Sequence, residues 1–250
     1  MKINFTGKTV LITGATRGIG KSIADVLFSC NANLILTGTQ KSEIDQLNKG
    51  LEEKKIDSIK YFQVDFSSTQ STNLFLEELD KFEKIDVCIN NAGVNKIADF
   101  VDTTYDDFKW LSEINVNVPY QILQVVGPKM LANGYGRVIN IASIWSVVTR
   151  PGRSMYSTSK NALIGLTKTL AVEWASKNVL VNAVSPGFTL TELTKSTNTE
   201  EQLKAITEII PAKRMADPIE MAKTIAFLCS DLNTYLTGQN ITIDGGFTNV

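Results

Sequence analysis

The sequence predicts an α/β fold built on a parallel, doubly wound sheet, and three observations predict it. Short apolar runs alternate with longer helical patterns along the chain, as successive β-α-β units require. Most of those runs are β-branched and apolar throughout, which marks parallel strands covered on both faces. A glycine-rich turn, "TGATRGIG" (13–20), closes the first run and opens the first helix.

Strands are expected at "TVLIT" (9–13), "NLILT" (33–37), "IKYFQV" (59–64), "IDVCIN" (85–90), "RVINIA" (137–142), "LVNAVS" (180–185) and "NITID" (240–244). Helices are expected near 19–29, 42–54, 70–82, 105–132, 155–176 and 218–230. The polar stretch "TELTKSTNTEEQ" (191–202) breaks this rhythm, and a long insertion late in an α/β chain reads as a lid or binding loop. No linker, repeat or low-complexity segment interrupts the rest.

The chain has 250 residues, 43% hydrophobic and 20% charged, with a net charge of -1, enough for a full core. That charge balance argues against nucleic acid and anionic membranes as partners. No run approaches the length of a membrane span. The N-terminal "MKINFTGKTVLITG" enters a strand directly, without the features of a signal peptide. Cys30, Cys88 and Cys229 are too scattered for a disulfide framework or a zinc site. A cytoplasmic protein with no metal is the expectation.

Open sheets of this kind bind ligands beyond the carboxyl ends of their strands. After the first strand, Gly14, Gly18 and Gly20 permit a tight turn and a close backbone approach, and a helix N-terminus offers free N–H groups to a pyrophosphate. The turn also holds Thr16, Arg17 and Ile19. At the end of the second strand, Gly38 and Thr39 stand where an NAD-preferring fold carries an acid, and no carboxylate precedes Glu43. With Arg17 in the turn and Lys41 just beyond, the pattern suits a 2′-phosphate and points to NADP in preference to NAD. Asp65, followed by Phe66, reads either as an acceptor for the adenine amino group or as a helix cap. In "NNAG" (90–93), Asn90 and Asn91 can tie loops together, and Ala92 and Gly93 bring backbone toward the cofactor.

The chain contains no histidine, so proton transfer near neutral pH needs another group. Tyr156 and Lys160 stand four apart, on one helical face. A phenol with a pKa of ~10 is a poor acid or base, and a neighbouring ammonium favours its phenolate. Ser143, at the end of the fifth strand, is placed to hydrogen-bond a substrate oxygen. Proton transfer to an oxygen paired with hydride delivery to its carbon is a carbonyl reduction. In the loop "IWSVVTRPGRSM" (144–155), Trp145 is expected to narrow the pocket, and Arg150 and Arg153 to meet a phosphate or carboxylate or simply to be solvated.

Together these motifs resemble the classical short-chain dehydrogenase/reductase family, most closely its bacterial 3-oxoacyl-[acyl-carrier-protein] reductases. "TGATRGIG", "NNAG", the Ser143…Tyr156-x-x-x-Lys160 set, "SPGFTLT" (185–191) and "TGQNITIDGG" (237–246) carry the resemblance across essentially all 250 residues. It implies a single Rossmann-type domain over residues 1–250, a seven-stranded sheet and a substrate lid near 188–215. It also implies a homotetramer in which the C-terminal strand and tail form one subunit contact. Asn115 would hold a water linking Lys160 to solvent, with Asn117 pointing elsewhere, and Lys160 would also bind the nicotinamide ribose. The segment after Pro186 and Gly187 would meet the carboxamide, through the backbone at Thr189, where the family commonly has a branched aliphatic residue. The Thr191 hydroxyl would reach the cofactor.

The resemblance implies a carbonyl substrate, either a small molecule or an acyl thioester, with acyl carrier protein as a candidate partner. An acidic carrier protein needs basic residues at the rim. Here "MLANGYGR" (130–137) has only Lys129 and Arg137 nearby, with Lys177 elsewhere. A sugar, sugar-nucleotide or polyol substrate is therefore the alternative. A catalytically silent cofactor sensor or scaffold would show a broken tetrad, and all four residues are present.

Overall fold

The computed structural model describes residues 2–196 and 198–250. The strands are β1 (Thr9–Ile12), β2 (Asn33–Gly38), β3 (Ile59–Gln63), β4 (Val87–Asn90), β5 (Gly136–Ile141), β6 (Val179–Pro186) and β7 (Asn240–Ile243). They form a seven-stranded parallel sheet in the order β3-β2-β1-β4-β5-β6-β7. The helices are α1 (Gly18–Ser29), α2 (Lys41–Glu53), α3 (Thr69–Asp80), α4 (Tyr105–Ser112), α5 (Val118–Asn133), α6 (Ser154–Trp174), α7 (Glu192–Ser196), α8 (Glu200–Ile209) and α9 (Pro218–Cys229).

The sheet is covered on both sides because its strands are apolar on both sides. Along β1, Val10 and Ile12 join one core with α1 and α9, while Leu11 joins the opposite core with α3 and α5. That split follows from the two-residue period of a strand. Each large aliphatic side chain fully buried this way contributes ~1.5–3 kcal/mol. The chain winds outward from β1 to β3, then returns to place β4 on the other side of β1. The crevice between the carboxyl ends of β1 and β4 is the switch point where such sheets take ligands.

Two elements differ from the sequence expectation. The single helix expected over 105–132 is broken by a π-helical turn at Glu113–Asn117. Pro119 lacks the N–H that would donate to the carbonyl of Asn115, four residues back, so the regular ladder cannot run through. The polar stretch 191–202 is largely helical rather than loop: α7 starts at Glu192, and α8 starts behind a capping box of Thr199 and Gln202. The expected lid, 188–215, includes Thr197, which lies outside the described residues. Its ends are pinned together, because Leu190 N–H donates to Ala216 O at 2.8 Å and Ala216 N–H to Phe188 O at 3.0 Å.

No helix among the described residues is long and apolar enough to cross a membrane. Cys88 and Cys229 are buried thiols and Cys30 is half-buried. Burial pushes Cys88 up to about 12, so it stays protonated and inert.

Candidate active site

The glycine turn and the segment after β4 are laced into one cradle. The Asn91 amide donates to the carbonyls of Thr13 and Gly14, each at 2.9 Å. The backbone N–H groups of Asn91 and Ala92 donate to Thr13 Oγ1 at 3.0 and 2.9 Å. Gly14 N–H donates to Thr37 Oγ1 at 3.0 Å. Thr13 and Thr37 were not singled out in the sequence, because a threonine hydroxyl gives no signal until its strand neighbours are known. At Gly20 a Cβ would stand 2.2 Å from Gly14 O, so only glycine fits. Gly14 and Gly18 have φ of +64° and +58°, the left-handed region glycine adopts freely.

This cradle fits a dinucleotide. Arg17 is the N-cap of α1 and makes no side-chain cap, which leaves the first-turn N–H groups for a pyrophosphate. A Cβ on Gly18 would lie 3.5 Å from Thr191 Cγ2, so the segment after β6 closes over the turn. Ile19 instead packs against the core. Gly187, after Pro186, approaches the Asp244 backbone so closely that a Cβ would lie 2.6 Å from its Cα. Thr189 is buried and donates to Gly187 O at 3.1 Å.

Asp65 is not a helix cap, since Ser68 caps α3. One Asp65 oxygen accepts from Ser67 N–H at 2.9 Å and from Ser67 Oγ at 2.6 Å, and these bonds hold its carboxyl below the usual range. Phe66 is buried edge-on against Phe75 at 6.1 Å, so its side chain belongs to the core.

Arg17 is exposed and has no ion-pair partner among the described residues, whereas Lys41 is engaged with Asp45 at 3.2 Å. Gly38 is packed so tightly that a Cβ would stand 2.4 Å from Thr16 Cγ2, so an acid at 38 would disturb the turn. Exposed Thr39 is the position with room. Thr39→Asp is expected to weaken NADPH binding about tenfold or more through repulsion of the 2′-phosphate, while NADH binding holds or improves. Fluorescence titration of both cofactors checks this.

At the other side of the crevice, Ser143 follows β5 and Tyr156 and Lys160 lie in α6. Tyr156 is half-buried and Lys160 is buried. Burial raises the pKa of the phenol, and two influences oppose it: a hydrogen bond with Ser143 and the charge of Arg153. Lys160 lies beside the phenol ring, as its four-residue spacing from Tyr156 expects. Its Nζ donates to Ile141 O at 2.8 Å and lies 5.5 Å from the Tyr156 ring centroid. Burial brings Lys160 itself down to about 8. Arg153 is a further cation that favours the phenolate.

Asn115 is fully buried at the π-turn. Its Oδ1 accepts from Val94 N–H at 2.8 Å, and its Nδ2 donates to Val94 O at 2.9 Å and Ser159 Oγ at 3.1 Å. The π-turn therefore clamps the segment after β4 against α6. A Cβ on Gly93 would lie 3.3 Å from both Asn115 Oδ1 and Lys160 Nζ, so the missing side chain keeps the space between them open. Asn117 points outward to Glu113 at 2.6 Å, as the comparison with Asn115 expected.

Trp145 is buried at the head of this site. It meets Phe188 and Phe247 edge-on at 6.1 and 6.2 Å, and those two rings meet at 5.2 Å. Neither phenylalanine was picked out in the sequence, although both follow glycines in quoted motifs. Gly245 and Gly246, with φ of +63° and +90°, turn the tail back so that Phe247 reaches the pocket. Arg150 and Arg153 both lie over the Trp145 ring, 5.1 and 5.3 Å from its centroid. The solvated reading holds for Arg150, which is exposed, and fails for Arg153, which is buried. Among the described residues, no group of three or more Cys, Asp or Glu side chains could hold a metal ion.

A family profile described as "Enoyl-(Acyl carrier protein) reductase" matches residues 14–248. The oxidoreductase UcpA of Salmonella typhimurium is 38% identical over 253 residues, which cover 97% of this chain and 95% of UcpA. The 3-oxoacyl-[acyl-carrier-protein] reductase FabG of Aquifex aeolicus is 36% identical, over 98% of this chain and 99% of its own. A crystal structure of a gluconate 5-dehydrogenase from Burkholderia cenocepacia, in complex with NADP and tartrate, aligns with a TM-score of 0.89 at 26% identity, covering 99% of this chain and 97% of that one.

Proposed function

The chain belongs to the short-chain dehydrogenase/reductase family and is an NADP-dependent oxidoreductase of carbonyl and hydroxyl groups; from that premise we propose that it interconverts a small free carbonyl compound and its alcohol. The observation that carries this reading is the placement of Ser143 after β5, and of Tyr156 and Lys160 together in α6, beside a cradle bounded by Gly93 and Thr191. The glycine turn after β1 would hold NADPH, which would supply the hydride, and so the two electrons, that the carbonyl carbon needs. Ser143 donates a hydrogen bond to the carbonyl oxygen and holds it at the phenol. Tyr156, protonated at neutral pH as any ordinary phenol is, gives its proton to that oxygen as negative charge develops there. In the oxidative direction the phenolate takes the proton back. Lys160 and Asn115 hold the floor of the pocket between Ile141 and Val94. The segment between Phe188 and Ala216 is the lid that keeps water out.

A 3-oxoacyl-[acyl-carrier-protein] substrate is the second reading, favoured by the 36% identity to the A. aeolicus reductase. Charge at the rim weighs against it. Lys129 pairs with Asp80 at 2.9 Å, and Arg137 is buried and spent on the carbonyls of Gly136, Asn178 and Asn233. Following NADPH consumption with purified protein on 3-oxoacyl thioesters, keto sugars and small diketones tests both. Consumption on small carbonyls is expected; activity confined to the thioesters favours the second reading, and none at all overturns the assignment.

The working form is taken to be a cytoplasmic homotetramer. Tyr120 on α5 and Val172 on α6 are 52% and 84% exposed, apolar side chains that a second copy would cover. The tail is a poor place to test assembly, because Phe247 forms a wall of the chain's own pocket. Val172→Glu is expected to yield smaller species in light scattering, and an unchanged mass contradicts this assembly.

A further inference from the structure

Among the described residues Arg153 has no counter-ion. It is 8% exposed, and its guanidinium lies over the Trp145 ring together with that of Arg150. Among the described residues it makes no ion pair, and its Nε is buried without a hydrogen-bond partner. The neighbouring Ser154 Oγ is also buried and unpartnered. Both groups stand at the N-terminus of α6, a helix of 21 residues whose dipole adds to the positive field. Burying a cation beside a second cation, with two orphan donors at hand, is costly unless an anion completes the set. Arg153 is the N-cap of α6, one helical turn before Tyr156, so that anion belongs beside the reacting carbonyl.

We propose that Arg153, stacked on Trp145 at the head of α6, anchors the carboxylate of the substrate, which makes this protein an oxidoreductase of oxo and hydroxy acids. The proposal rests on the carbonyl chemistry assigned above and names its substrate class. A guanidinium fork matches a planar carboxylate with two parallel hydrogen bonds. The edge-to-face ring contacts of Trp145, Phe188 and Phe247 form an apolar wall for the carbon chain between carboxylate and carbonyl. Gly152, with φ of +77°, makes the turn that delivers Arg153 to this place.

Two measurements test it. In the first, 2-oxo-, 3-oxo- and 5-oxohexanoate and their methyl esters are reduced with NADPH by the wild type, Arg153→Met and Arg153→Lys. At least one acid should be preferred over its ester, and Arg153→Met should lower that ratio about 100-fold, with Arg153→Lys in between. The ratio cancels any effect of the lost charge on Tyr156, which both substrates share. In the second, tartrate, threitol and inorganic phosphate are titrated calorimetrically into the wild-type complex with NADP⁺. Tartrate should bind and threitol should not. This arm needs neither turnover nor a folded variant. Esters reduced as well as acids, with no tartrate binding, overturn the carboxylate anchor and leave the carbonyl chemistry standing. Tartrate binding without turnover on any carbonyl supports the anchor and overturns the chemistry. Phosphate binding in place of tartrate also overturns the carboxylate assignment.

Discussion

Tyr156→Phe should lower turnover by about 10²–10⁴ while NADPH affinity stays close to wild type. The phenyl ring keeps the packing of α6 against the segment after β5 and removes only the hydroxyl that faces Ser143. A phenol is in its acid form at neutral pH and burial reinforces this, so the proton that reduction needs is present there. Oxidation needs the phenolate, so its rate should climb with pH well beyond neutrality. Steady-state rates in both directions, beside a cofactor titration, check all three expectations. Near-normal reduction by the variant would remove Tyr156 from the chemistry.

Lys160→Met should lose activity and yet give a more stable ligand-free protein. The Lys160 ammonium is buried, and desolvation brings its pKa from 10.5 to about 8. Below about pH 8 the group is protonated in both folded and unfolded chains, and the folded state carries the full desolvation cost. Between pH 8 and 10.5 the unfolded chain binds the proton more strongly, so the wild type gains stability as pH rises through that window. The gap corresponds to about 3 kcal/mol at most. Methionine removes that cost but leaves Ile141 O without its donor, a loss of ~1 kcal/mol. The variant should therefore be more stable than wild type by about 1–2 kcal/mol at pH 7, with the advantage fading by pH 10.5. Urea unfolding at several pH values measures it. Lower stability of the variant at pH 7 would mean that the Ile141 bond outweighs desolvation.

Much of this was legible in the sequence because it is local. A parallel strand buried on both faces writes a continuous apolar run, and a turn that needs left-handed residues writes glycines at 14 and 18. Tyr156 and Lys160 share a helix face whatever surrounds them. What was not legible depends on distant partners. The break at Glu113–Asn117 leaves the apolar pattern intact and is signalled only by Pro119. Arg150 and Arg153 look alike in a loop, and only the fold buries one of them. Phe247 reaches Trp145 across about 100 positions of sequence, a contact no local pattern encodes. The sign of the Tyr156 shift depends on burial, which the four-residue spacing to Lys160 does not convey.

The central claim is that a hydride reaches a carbonyl carbon while Tyr156 protonates its oxygen. The most direct test is turnover of an accepted carbonyl with NADPH deuterated at the transferred position of its nicotinamide, followed by mass spectrometry and NMR of the alcohol. The account predicts one deuterium on the carbinol carbon in the wild-type product and far slower formation of the same labelled alcohol by Tyr156→Phe. An alcohol carrying no deuterium at that carbon, or labelled product formed equally fast by the variant, would contradict it.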